Sequence, residues 1–165
     1  MTRDEFLSRF GTVFENRPDL AAEAWDRHGP VDAAAGAEGV HRAFVAVLHG
    51  LPPDALLALL NGHPDLAARS ARPRDLTDDS QREQGSADLD ELDEAAGARL
   101  LASNKGYRER FGFPFIMAVK GRRPAEILAA LEARLRNPPE EERAEAVRQV
   151  ERILLLRLKD RLGEA

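Results

Sequence analysis

Apolar residues recur along this chain at spacings of three, four and seven, the signature of helices that bury one face. Phe6 and Phe10, followed by Leu20, Ala24 and Trp25, predict two short helices divided near Pro18. Val40, Phe44, Val47, Leu48 and Leu51 predict a third. A fourth follows over Pro53 to Leu60, because proline suits the first turn of a helix and Asn61-Gly62 ends one. Leu89, Leu92, Ala96, Leu100, Ser103, Tyr107 and Phe111 mark one face of a long helix. Ile127, Leu128, Leu131 and Leu135 mark another, closed by Asn137-Pro138-Pro139, and a last helix is expected from about Glu140 to Leu162. Residues 69–79, rich in Arg, Pro and Asp, read as a loop.

Only Phe115 to Val119 has the composition of a strand, and no second segment is suited to pair with it. A lone strand leaves its backbone groups unpaired, so the expected fold class is all-α, a single-domain helical bundle over residues 1–165. The surrounding stretch, Phe111 to Gly121, packs aromatics, two glycines and Pro114 where a surface loop would be polar. It must be buried or must line a site. Irregular apolar backbone beside a site offers N–H and C=O groups to a polar ligand.

Composition narrows the function classes. The 165 residues carry 43% hydrophobic and 32% charged side chains, the balance of a soluble globular domain. A formal net charge of −5 argues against nucleic acid as a partner. No apolar run approaches the length of a membrane span and the N-terminus does not read as a signal peptide, so no membrane partner is expected and a cytoplasmic location is. Without cysteine there is no disulfide, thiolate metal site or cysteine nucleophile. His28, His41 and His49 form no metal-ligand spacing, and no metal site is expected. Glycine-rich phosphate loops and the nucleophile elbow are missing as well.

Three places retain chemical interest. His63 precedes a proline, which keeps it out of the helical region, and Pro64 is suited to open a helix. His63 is therefore expected at a helix N-cap, where it either bonds nearby backbone or moves protons near neutral pH. A helix N-terminus there would favour its neutral form. Ser80-x-x-Glu83 has the spacing of a capping box. On a helix the same residues would instead project a hydroxyl, a carboxylate and the Gln84 amide together. Arg157 falls within the apolar arc of the last helix and must either snorkel to the rim or turn inward onto an anion. An inward guanidinium needs a partner such as Glu83 or a substrate carboxylate.

Taken in order, Phe14-Glu-Asn-Arg-Pro18, His63-Pro-Asp-Leu-Ala67, Leu76-Thr-x-x-Ser80-x-x-Glu83-Gln84, Asn104-x-x-Tyr107-x-x-Arg110-Phe-Gly-Phe-Pro-Phe115 and Ile153-x-x-x-Arg157-Leu158 resemble the OHCU decarboxylase family. OHCU is 2-oxo-4-hydroxy-4-carboxy-5-ureidoimidazoline, an intermediate of urate degradation. The resemblance spans nearly the whole chain. It implies an all-α fold, a ureidoimidazoline substrate, no cofactor, and decarboxylation to (S)-allantoin and CO₂. It also implies that His63 is the catalytic histidine, with Glu83 and Arg157 as the other functional polar residues. Pro64, the run Ser80, Gln81, Arg82, Glu83 and Gln84, and the run Phe115, Ile116, Met117, Ala118 and Val119 match the substrate-binding segments. Relatives are often homodimers, so a homodimer is expected.

This sequence departs from the family pattern at Asn16-Arg17, where His-Ser or His-Thr is usual, and at Gly106, which would interrupt the long helix. Some relatives are fused to a hydroxyisourate hydrolase module, and only the decarboxylation step is expected here. Two other readings remain open at this level: a catalytically silent relative that binds a ureide, and a helical interaction module in which Phe111 to Val119 is merely core.

Overall fold

The computed structural model describes residues 1–31, 33–66 and 92–165. Its helices are α1 (Arg3–Phe10), α2 (Pro18–His28), α3 (Gly36–Gly50), α4 (Pro53–Asn61), α5 (Glu94–Phe111), α6 (Pro124–Arg134) and α7 (Pro139–Leu162), with a 3-10 turn over Ala33–Ala35. The described residues contain no strand. The fold is all-α. The chain divides into two compact units, Met1–Gly62 with Glu151–Ala165, and His63–Val150.

In the first unit the helix ends are explained by local chemistry. Thr2 caps α1 through a reciprocal box: its hydroxyl accepts from Glu5 N–H at 3.3 Å while its own N–H donates to the Glu5 carboxylate at 2.6 Å. Pro18 and Pro53 open α2 and α4 at positions where an N–H would have no partner. The apolar faces meet in an aromatic cluster. Phe6 lies 5.2 Å from Phe10, 5.1 Å from Trp25 and 6.1 Å from Phe44, and Phe14 lies 4.9 Å from Phe44. The four phenylalanines are buried to 2% exposure or less.

The C-terminal turns of α7 are tied into this unit by charged side chains. Arg161 donates to the Arg9 carbonyl at 3.0 Å and to the Thr12 hydroxyl at 2.8 Å. The Glu164 carboxylate accepts from Ala37 N–H at 3.0 Å, placing a negative group at the N-terminus of α3, where helix amides lack internal partners. His41 Nε2 is bonded to the Glu151 carbonyl at 2.9 Å, and His49 to the Glu151 side chain.

The second unit is built on α5, α6 and the first half of α7. Asp93 caps α5 by accepting from Ala96 N–H at 2.7 Å. Gly112 ends it at φ +78°, a left-handed conformation that favours glycine because any Cβ would be strained. The helix runs unbroken through Gly106, so the expected interruption does not occur. Arg99 clamps Glu132 with three contacts of 2.7–3.0 Å, joining α5 to α6. The long helix begins at Glu94, after Leu92, where Asp93 caps it; Leu89, expected on its face, lies outside the described residues.

Candidate active site

His63 follows Gly62, whose N–H closes α4 onto Ala58 and Leu59 at 3.1 Å. The helix expected to open at Pro64 does not begin there. Pro64 and Asp65 are irregular and Leu66 lies in a turn. The reason is that Asp65 is used elsewhere: both its carboxylate oxygens accept from Arg108 Nη1 at 3.1 Å. That ion pair fixes the segment directly after His63 to α5. His63 is 9% exposed, a buried imidazole. No helix therefore starts at Pro64 to favour the neutral form of His63.

In the same unit, Phe113 to Val119 is buried except at Met117, and the chain from Pro114 to Val119 contains neither helix nor turn. Its Phe113 and Phe115, with Phe111 of α5, surround Tyr107, whose ring lies 4.6 Å from Phe111, 5.9 Å from Phe113 and 5.4 Å from Phe115. Behind them sits a buried polar network. Glu142 is 0% exposed and accepts from the Tyr107 hydroxyl at 2.5 Å, from Arg134 Nε at 2.6 Å and from Asn137 at 2.9 Å. Arg134 also donates to the Ile116 carbonyl at 2.6 Å and lies 4.5 Å from the centre of the Phe115 ring. Burial, and then the bond to Glu142, push the Tyr107 phenol far above its ordinary range, while the Arg134 charge opposes this.

Side chains therefore hold this backbone where a neighbouring strand would otherwise do so. Ile116 C=O is taken by Arg134, Ala118 N–H by Gln149 at 3.0 Å, and Val119 C=O by Arg122 N–H at 2.9 Å. Among the described residues the amide N–H and C=O of Met117 have no hydrogen-bond partner.

Arg157 belongs to the other unit. It turns inward, 3% exposed, and meets an anion within the protein, Glu15: Nη2 lies 3.0 Å from Glu15 Oε2. Nη1 donates to the Val13 carbonyl at 3.0 Å. Ser80, Gln81, Arg82, Glu83 and Gln84 lie outside the described residues. The structure thus joins His63, Pro64 and Phe115–Val119 in one unit and places Arg157, with Glu15, in the other. Glu15, Arg134, Glu142 and Gln149 escape sequence reasoning. The one available signal was Arg134, a cation three residues after Leu131 and seven after Ile127 on a buried face. Among the described residues no group of three or more His, Asp or Glu could hold a metal ion, and no single helix is long and apolar enough to cross a membrane.

The sequence model of the OHCU decarboxylase family matches residues 1–159. The chain belongs to the OHCU decarboxylase family. Among curated members it is 39% identical over 159 residues to the 2-oxo-4-hydroxy-4-carboxy-5-ureidoimidazoline decarboxylase of Mus musculus, covering 96% of this chain and 87% of that one. The protein of the same name from Bos taurus is 38% identical, with 97% and 92% covered. That of Haloferax volcanii is 35% identical, with 97% and 90% covered. A crystal structure of (S)-allantoin synthase superposes with a TM-score of 0.77 at 28% identity, covering 98% of this family member and 51% of that chain, so the chain spans about half of it. A crystal structure of OHCU decarboxylase in the presence of (S)-allantoin gives a TM-score of 0.68 at 22% identity, with 98% and 99% covered; at that identity it speaks for the fold.

Proposed function

We propose that this chain carries out its family's reaction with His63 as the proton donor. The chain is an OHCU decarboxylase: it removes CO₂ from 2-oxo-4-hydroxy-4-carboxy-5-ureidoimidazoline and yields allantoin. The observation that carries this reading is the family match over residues 1–159, which runs through each motif position named above.

Loss of the carboxylate breaks a C–C bond and leaves its electron pair on the ring carbon, where the unsaturated ring delocalises it. A proton must then reach that carbon from one face to give the (S) product. The protein's task is to bind the anion, orient it and supply that proton. A buried imidazole on a segment pinned by Asp65 and Arg108 is a positioned donor, acting directly or through a water. Glu83 orients the imidazole or a substrate N–H, and Arg157 binds carboxylate or ureido oxygens while Glu15 and Val13 hold its guanidinium. Pro64, Ser80, Gln81, Arg82, Gln84 and the backbone of Phe115 to Val119 contact the ureido and ring amides.

The test is chiral monitoring of allantoin formed from enzymatically generated OHCU, with and without the protein. Acceleration and excess of one enantiomer are expected, against slow spontaneous decay to racemate. His63→Asn should keep the fold and lower the accelerated rate by about 10²–10⁴-fold, the usual weight of general acid–base catalysis. Near-wild-type turnover by that variant would remove His63 from the mechanism.

A further inference from the structure

The segment Phe115–Val119 raises a question of register. From Pro114 to Val119 the chain runs without helix or turn. Ile116 C=O and Ala118 N–H, on either side of Met117, are both held by side chains, by Arg134 at 2.6 Å and by Gln149 at 3.0 Å. The N–H and C=O of Met117, between them, have no partner among the described residues. Met117 is also the only residue of the five that is not buried. A donor and an acceptor on one residue complement the N–H and C=O of a ureide or a ring lactam.

We propose that Gln149 is a positioning residue for the decarboxylation: its bond to Ala118 N–H fixes the register in which Met117 presents its paired N–H and C=O to the amide groups of the substrate. The proposal rests on the reading that Phe115–Val119 contacts substrate.

The chemistry of the site selects an amide at position 149. Gln149 Oε1 accepts from Ala118 N–H while its Nε2 donates to Glu145 Oε1 at 2.8 Å. One side of the group must accept and the other must donate, which a carboxamide does without a change of protonation and a carboxylate does not. Glu145 is in turn held by Arg148 Nε at 2.9 Å. Burial pushes the Glu145 carboxyl up, but the bonds from Gln149 and Arg148, with the charges of Arg148 and Arg134, outweigh it and hold the group below its ordinary range. It is a carboxylate at neutral pH and requires a donor from Gln149. The orientation of the amide is therefore fixed by its two partners.

The experiment compares steady-state decarboxylation by wild type, Gln149→Met, Gln149→Glu and the exchanged pair Glu145→Gln/Gln149→Glu, with melting temperatures alongside. Gln149→Met should raise KM by about tenfold and leave kcat within roughly threefold, the pattern of lost binding shared by ground and transition states. Gln149→Glu sets two carboxylates against each other, so its KM should be raised at neutral pH and fall as the pH is lowered. In the exchanged pair the amide at position 145 donates to a carboxylate that still accepts from Ala118 N–H, and KM should return to within about threefold of wild type. Unchanged KM in Gln149→Met with only a lowered melting temperature would overturn the proposal, as would failure of the exchange to restore KM in a folded protein. Should Gln149→Met not fold, the KM of the exchanged pair against Gln149→Glu decides alone. Failure of the reading beneath it would look different: wild type itself would not accelerate allantoin formation.

Discussion

Arg157 Nη2 and Glu15 Oε2 lie 3.0 Å apart, with the two side chains 3% and 1% exposed. The net stabilisation from such a pair is small, because both charges have lost their water. Removing one partner is another matter, since it strands the remaining charge in the interior. Glu15→Ala should lower stability by about 3–5 kcal/mol, and Glu15→Gln by less, because an amide oxygen still accepts from the guanidinium. Urea denaturation followed by the fluorescence of Trp25, the lone tryptophan, measures both. A loss under about 1 kcal/mol for Glu15→Ala would show that the pair behaves as a solvated surface contact.

Tyr107 offers a spectroscopic check, because it is the only tyrosine. Its phenol, buried and donating to Glu142, is raised well above the ordinary value of 10. The folded state thus keeps a proton that the unfolded chain releases. This contribution is complete below pH 10 and declines as pH rises above it, where ionisation draws the chain toward the unfolded state. Phenolate absorbance should grow only in step with loss of helical circular dichroism. Ionisation near the ordinary value with helices intact would contradict the network around Glu142.

Gly106 is a stabilising opportunity within α5. It lies in the helix interior, and a Cβ built there meets no atom within 4 Å. Gly106→Ala should therefore add about 0.5–1 kcal/mol, by removing the entropy cost of ordering glycine, with turnover unchanged. A lowered melting temperature would mean that the helix does not run straight through this position.

Acid should weaken the second unit through Glu145. Its folded-state carboxyl is held below the ordinary value of 4.5, so its contribution is present above that value and lost as pH falls through the lower, folded one. Thermal melts of wild type should decline more steeply with falling pH below about 4.5 than those of Glu145→Gln. Parallel curves would show that Gln149 and Arg148 do not hold the group as described.

The helices were legible because their signals are local. Pro53 opens α4, Gly62 ends it, and α7 runs from Pro139, one residue before the expected start, to Leu162. Periodicity at three and four residues carries that information within a single turn. The polar partners of the candidate site were not legible, since they are set by tertiary contact. Glu142 ends a run of three glutamates that reads as a solvated, dipole-complementing first turn, yet it is wholly buried under Arg134 and Tyr107. Arg157 was expected to face either rim or anion. Glu15, its partner, lies near the opposite end of the chain, where no spacing rule points to it. The backbone after His63 was not legible for a related reason: Pro64 suits a helix start, but Asp65 pairs with Arg108 and residues 64–65 stay irregular.

The stretch from Phe113 to Val119 combines high hydrophobicity with no net charge, a composition that would readily stack into cross-β fibrils if left bare. Here Pro114, the guanidinium on Ile116 and the carboxamide on Ala118 take away groups that an incoming chain would need, while those of Met117 stay open. The side chains that shape this candidate binding segment thereby act as its gatekeepers. Variants that loosen Arg134 or Gln149 should consequently be screened for turbidity and dye-binding fibres as well as for turnover.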